Sequence, residues 1–222
     1  MENDYCIELD YSFKSALGDI ESYRYINEYK VNIYNNEDGL EDSRNRELIG
    51  KARLSLVLLS LVINNQMDTY EVFDNSQFLM DLGETIFDFE TDDFREPLID
   101  EVCASSSNLL VIDRLELLPA WRKKGFGKKI IKDIIWRFSG CCDLVVLKAF
   151  PLQKEATNPD KEKSEWQKKM EMTNLPKDGE LSFYKVYAYY QNLGFEQYEE
   201  TDYFYFNPAK LNEKFDAIDI EE

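Results

Sequence analysis

The chain contains no histidine. That absence removes the commonest general base, every Ser-His-Asp arrangement and most zinc sites, because imidazole serves all three roles. Cysteine is scarce as well: Cys6, Cys103, Cys141 and Cys142 are the four present in 222 residues. Two are adjacent, which fits neither a disulfide framework nor a Cys-x-x-Cys zinc knuckle. The expectation is a reduced, cytoplasmic protein with buried thiols and no metal; a reactive vicinal pair at Cys141 and Cys142 is the alternative. Long apolar runs are missing too. The longest, near Leu54 to Ile63, is broken by Ser55 and Ser60 and is too short for a bilayer. The acidic start Met1-Glu2-Asn3-Asp4 lacks the basic residues and apolar stretch of a secretory leader. No repeat or low-complexity linker divides the chain, so residues 1–222 read as one domain.

Cations are the minority, 26 against 44 acids, for a net charge of −18. That balance opposes direct nucleic-acid binding. It favours a cationic acceptor, a basic partner, or simply solubility. The charge is unevenly spread. Residues 1–108 hold 24 acids and 8 bases, net −16; residues 109–222 hold 20 and 18, net −2. Within the second half, residues 122–137 carry seven bases and one acid, net +6. A cationic island in an anionic chain points to a bound anion.

Periodicity supplies the scaffold. Tyr5 to Leu9 and Lys30 to Tyr34 alternate as strands, and residues 35–39 are turn chemistry. Glu47 to Ile63 reads as one long strand ending at Asn64-Asn65. Residues 68–101 lean towards helix in parts; their run of nine acids against one base at 81–101 reads as a solvated face or a cation-facing rim. Leu109 to Leu118 reads as a buried strand stopped by Pro119. Lys123 to Phe138 reads as a helix, with Phe126, Ile130, Ile131, Ile134, Ile135 and Phe138 on one stripe. Asp143 to Phe150 is a second buried strand. Residues 153–180 are a polar insertion or flap. Ser182 to Asn192 is helical, and Phe195–Tyr198 with Tyr203–Phe206 reads as a hairpin.

The chemistry concentrates between Leu115 and Lys128. A strand runs into the turn Arg122-Lys123-Lys124-Gly125-Phe126-Gly127, and a helix begins there. Unpaired N–H groups at a helix start, together with the helix dipole, favour phosphate. Glycine lets the backbone come close to the anion. A Walker loop fits badly, because Arg122 stands where its first glycine belongs and Lys129 where Ser or Thr belongs. A dinucleotide fingerprint fails at Ile130, where its third glycine belongs.

Arg122-x-x-Gly125-x-Gly127, after Leu115-x-Leu117-x-Pro119, resembles the acetyl-CoA signature of the GNAT superfamily of N-acetyltransferases. Tyr189-Tyr190-Gln191-Asn192-Leu193-Gly194-Phe195 resembles the family's later helix, and the resemblance spans roughly residues 109–206. It implies a mixed α/β GNAT fold: a central twisted, mostly antiparallel sheet flanked by helices, with strands splayed after Leu117 at the acetyl-CoA site. It implies that Arg122, Lys123, Lys124, Gly125, Phe126, Gly127 and Lys128 surround the diphosphate. Leu115, Leu117 and Leu118 would meet the pantetheine arm and the thioester. Tyr190 matches the family's general acid; its alternative is a core position beside Phe183 and Tyr187. Glu116 matches a strand position where some members place a base; its alternative is an ion pair with Arg114. Lys128, Lys129 and Lys132 read as a solvated face, and Trp121 as packing or a cofactor contact.

The implied reaction transfers acetyl from acetyl-CoA to a primary amine, with no metal. The acidity hints at a polyamine, an aminoglycoside or a lysine-rich protein as acceptor. A homodimer is an option, and no membrane or nucleic-acid partner is expected. Two departures bear on the acceptor side: Phe183 stands where many members carry asparagine, and the insertion is long. The competing function is a GNAT-fold interaction protein whose acidic half engages a basic partner.

Overall fold

The computed structural model describes residues 5–15, 21–36, 45–102, 108–154, 164–172 and 179–220. Cys103, residues 37–39 of the expected turn and much of the 153–180 insertion lie outside these. In chain order the elements are β1 (Ile7–Phe13), β2 (Ile26–Asn36), β3 (Arg46–Val57), α1 (Leu59–Asn64), α2 (Thr69–Phe73), α3 (Gln77–Ile86), β4 (Phe87–Asp88) and β5 (Asp93–Phe94). They continue with β6 (Leu109–Leu117), α4 (Phe126–Phe138), β7 (Leu144–Lys148), α5 (Glu165–Lys169), α6 (Gly179–Asn192), β8 (Glu196–Gln197), β9 (Tyr203–Phe206) and α7 (Glu213–Asp216).

The main sheet has the order β1-β2-β3-β6-β7-β9-β8, and β4 pairs with β5 in a separate hairpin. Among the described residues every pairing is antiparallel except β6 with β7. A parallel pair needs a crossover, and α4 supplies it. Side chains alternate across the sheet, so two apolar layers form. Leu110, Ile112, Val145 and Leu147 face α4 and, through Val186, Tyr187 and Tyr190, α6. Leu109, Val111, Leu144 and Val146 face the α1–α3 side.

The α4 stripe is the one the sequence indicates: Phe126, Ile130, Ile131, Ile134, Ile135 and Phe138 are all buried. Its start is later than Lys123, because Gly125 takes φ 87° and ends the preceding turn before Phe126. The expected strand over Glu47–Ile63 is corrected: β3 stops at Val57, and Leu59–Asn64 is helical. Leu58 turns the chain (φ −90°, ψ 61°), after which Leu59 and Val62, three apart, both bury on one helical face. Leu61 and Ile63 are exposed yet as apolar as buried Leu59 and Val62, so the run carries no polar marks by which to tell strand from helix. Residues 68–101 resolve into α2, α3 and the short hairpin. The second buried strand ends at Lys148 rather than Phe150, and only Glu196–Gln197 of the expected 195–198 strand pairs.

Candidate active site

Strand β6 carries a bulge. Arg53 opposes Arg114 and Leu54 opposes Ile112, so Asp113 is the extra residue. A bulge reverses the facing of every later residue in its strand. Before it, Leu110 and Ile112 face the α4 layer; after it, Leu115 and Leu117 do. Arg114 and Glu116 are thereby turned to the opposite face. Pairing with β7 also stops here, at Ile112 opposite Leu147. The splay therefore opens after Ile112, not after Leu117, since the added twist of the bulge carries β6 away from its parallel neighbour.

The free edge has a defined polarity. The Leu118 N–H donates to Ile49 O at 2.8 Å, and Leu117 lies opposite Gly50, Glu116 opposite Lys51 and Leu115 opposite Ala52. Alternation of an antiparallel ladder then sends the N–H groups of Leu115 and Leu117 away from β3, into the splay. Leu118, expected to face the ligand, commits its amide to β3 instead. The Leu117 carbonyl accepts from Arg122 Nε at 2.8 Å. Arg122 Nη2 reaches on to Met170 O at 2.6 Å. Burial lowers the Arg122 pKa, with Glu171 and Glu116 opposing that effect.

Beyond β6 the chain turns back on itself. Lys123 has φ 61° and Gly125 has φ 87°. Left-handed residues placed this way direct successive N–H groups into one concavity. Among the described residues, no hydrogen bond engages the amides of Lys123, Lys124, Gly125, Phe126 or Gly127, whereas the Lys128 amide donates to Gly125 O at 3.2 Å. Trp121 takes the packing reading, whereas Lys132 departs from the expected solvated face. Trp121 is 7% exposed and stacks edge-on with Tyr5, which also meets Phe126. The Lys124 ammonium sits over the Trp121 and Tyr5 rings, and Lys132 donates to the carbonyls of Asp216 and Ile218, anchoring the segment after α7. Neither is a freely solvated lysine. Packing, not charge, shapes the back of the turn.

On α6, Tyr190 is half-buried against Phe195 and Phe204, and burial pushes its hydroxyl up to about 12. The neighbouring Tyr189, which sequence reasoning passed over, comes closest to the turn. A Cβ added at Gly127 would lie 2.7 Å from the Tyr189 hydroxyl oxygen. The adjacent pair of tyrosines was the available signal, but helical spacing alone does not say which of the two reaches the loop. Phe183 packs against Phe150 and Tyr187.

Glu116 is engaged on both oxygens. Oε1 pairs with Arg114 Nη1 at 2.8 Å, and Oε2 accepts from the Trp166 indole at 2.6 Å. The ion pair expected as the alternative to a base is present. As for the thiols, Cys142 is buried and its pKa is pushed up to about 12, mainly by that burial. Cys141 beside it is exposed, so the expected burial of the thiols holds for only one of the adjacent pair. No group of metal-ligating side chains is assembled, and no helix is long and apolar enough to cross a membrane, among the described residues.

No family model matches the chain, and no curated protein matches it. Solved structures do. A KacTA–DNA complex matches at 10% identity over 90% of this chain and 94% of that one, with a TM-score of 0.39. A tyrosine-to-phenylalanine mutant of KacT matches at 10% identity over 90% and 95%, TM-score 0.42. A mutant AtaT toxin bound to the C-terminus of the antitoxin AtaR and acetyl-CoA matches at 10% identity over 90% and 94%, TM-score 0.35. The strand order, the one parallel pair among the described residues and the bulged, splayed β6 edge above a glycine turn make this a mixed α/β fold built on a mostly antiparallel sheet.

Proposed function

We propose that the protein is an N-acetyltransferase that carries acetyl from acetyl-CoA to a primary amine. One observation carries the reading: a concavity of unengaged amides at residues 123–127 lies directly beyond the β6 edge onto which Leu115 and Leu117 turn their N–H groups. A diphosphate fits the first and an extended amide-bearing arm fits the second, and CoA joins the two. The left-handed φ of Gly125 fits a turn that curls successive amides towards one anion.

Acetyl-CoA supplies an activated acyl group. The Leu117 N–H, fixed on the strand and turned into the splay, would polarise the thioester carbonyl; such a donor is worth about 3 kcal/mol of barrier. Tyr190, kept protonated by burial, would give its proton to the departing thiolate. The amine is a nucleophile only when neutral, and Glu116, once freed from the Trp166 indole, would accept its proton. The basic turn in an acidic protein suits an anionic donor and a cationic acceptor together.

The test is thiol release from acetyl-CoA with a panel of amines. Wild type should release thiol well above background. Gly125→Glu, which sets a carboxylate at the diphosphate, should lose CoA affinity by at least tenfold. Tyr190→Phe should keep affinity and lose about 100-fold in turnover. Tight CoA binding without thiol release for any amine would favour the non-catalytic interaction protein. Normal CoA affinity in Gly125→Glu would refute the loop assignment.

A further inference from the structure

We propose that Trp166 is a specificity-determining residue for the acceptor, a gate on Glu116 that admits slender primary amines and excludes bulky ones. The inference rests on the transferase reading and adds the acceptor's route to it. An amine reaching the splayed edge of β6 has two ways in. One face of the sheet is closed there, because Leu115 and Leu117 pack into the layer under α4. The other face is the one from which Glu116 and its cross-strand partner Lys51 project. The α1–α3 layer covers that face at Leu109 and Val111, further back along the strand. At Glu116 the covering residue is Trp166.

The ring is held from two sides. Its N–H donates to Glu116 Oε2 at 2.6 Å, and the Lys51 ammonium lies 4.6 Å from the ring centroid. Cation–π contact and a charge-assisted hydrogen bond together fix both position and tilt. The helix carrying it is held too. Ser164 and Gln167 form a capping box at the start of α5. Just past its end Met170 is 3% exposed, and its carbonyl accepts from Arg122 Nη2 at 2.6 Å. With the end of α5 anchored through Met170 and its first turn capped, the opening comes from rotation of one side chain, and a side-chain-sized opening passes an alkyl chain more readily than a branched or peptide-borne amine.

An ammonium is itself a donor to a carboxylate. It therefore replaces the indole N–H on Glu116 Oε2, and the displaced ring leaves the space the acceptor enters. Arg114 remains on Oε1 throughout and keeps the carboxylate in place.

The experiment reads the ring directly. The emission of Trp166 is isolated as the difference between wild type and Trp166→Phe, and propylamine is titrated in with CoA present, so that no turnover occurs. A red shift that saturates with amine and is absent in Glu116→Gln is expected. In thiol release, Trp166→Ala should raise kcat/KM for a lysine-containing peptide relative to propylamine at least tenfold. No emission shift overturns the gate whether or not thiol is released. An unchanged peptide-to-propylamine ratio in an active Trp166→Ala also overturns it. A shift without turnover by any amine sustains the gate and refutes the transferase instead. Hydrogen exchange of the Lys168 and Met170 amides in the wild-type chain, with and without propylamine, needs no variant: both should stay protected while the ring moves, and loss of protection would replace a side-chain gate by a moving helix.

Discussion

Tyr189 and Gly127 constrain one another. The hydroxyl oxygen of Tyr189 would stand 2.7 Å from a Cβ at position 127, while its ring carbon Cζ would stand at 3.8 Å, an ordinary contact. Gly127→Ala should therefore cost about 1–2 kcal/mol through overpacking. The cost should vanish in Gly127→Ala combined with Tyr189→Phe, where only the clashing oxygen has gone. A double-mutant cycle by urea unfolding measures the coupling. A cost that survives the removal of the hydroxyl would locate the need for glycine in the backbone instead. The two glycines of the signature thus have different physical causes. Gly125 is demanded by a left-handed φ, which the motif makes legible. Gly127 makes room for the tip of a side chain more than sixty residues away in sequence, which no local pattern announces.

The bulge at Asp113 governs the whole of β6. Asp113 makes an ion pair with Arg53 at 2.9 Å, but Arg53 is 55% exposed in its side chain, so the pair itself is worth little. Asp113→Ala should change stability by under about 1 kcal/mol. Deleting Asp113 is a different matter, because it removes the extra residue and leaves Arg114 opposite Arg53 in an unbulged ladder. Leu115 and Leu117 keep their face, but β6 loses the added twist that parts it from β7. The deletion variant should therefore melt cooperatively, within about 2 kcal/mol of wild type, yet lose CoA affinity at least tenfold. Unchanged CoA affinity in a folded deletion variant would mean that the bulge is not what opens the splay. This also explains what the sequence could and could not disclose at the scale of elements. The α4 stripe was fully readable because one face packs and the other is wet. The strand β6 was readable as buried, but Leu109 to Ile112 is apolar on both faces, so no alternation precedes the polar pair Asp113–Arg114 against which a reversal of parity could be read. Leu54 to Ile63 failed for the same reason at the β3–α1 junction. The partner of Glu116 was half legible: Arg114 follows from alternation, whereas Trp166 arrives from an insertion whose docking depends on tertiary contacts with Lys51 and through Arg122.

Over the whole molecule, the same burial that builds the aromatic core makes it sensitive to alkali. Tyr190 is raised from 10.0 to about 12 and Cys142 from 9.0 to about 12, each chiefly by burial. Tyr11, Tyr189 and Tyr203 are also raised, again with burial as the largest cause. The folded state holds these groups neutral, while the unfolded chain ionises them at their ordinary values. Above those values the unfolded state binds fewer protons, so stability falls with pH. Their contribution is complete below about pH 9 and is lost as pH rises from there towards about 12. The net charge of −18 adds a second destabilising effect in the same direction, since each new phenolate joins an already anionic surface. Salt separates the two. Raising ionic strength screens repulsion between exposed charges but leaves the burial of neutral phenols untouched. Urea unfolding followed across this range should therefore show a decline that high salt reduces only in part, with tyrosinate absorbance appearing together with loss of structure. If salt restored the stability completely, self-repulsion would be the sole cause. The aromatic layer around Tyr190 would then be open to hydroxide, a poor setting for a tyrosine that must stay protonated to act on a leaving thiolate.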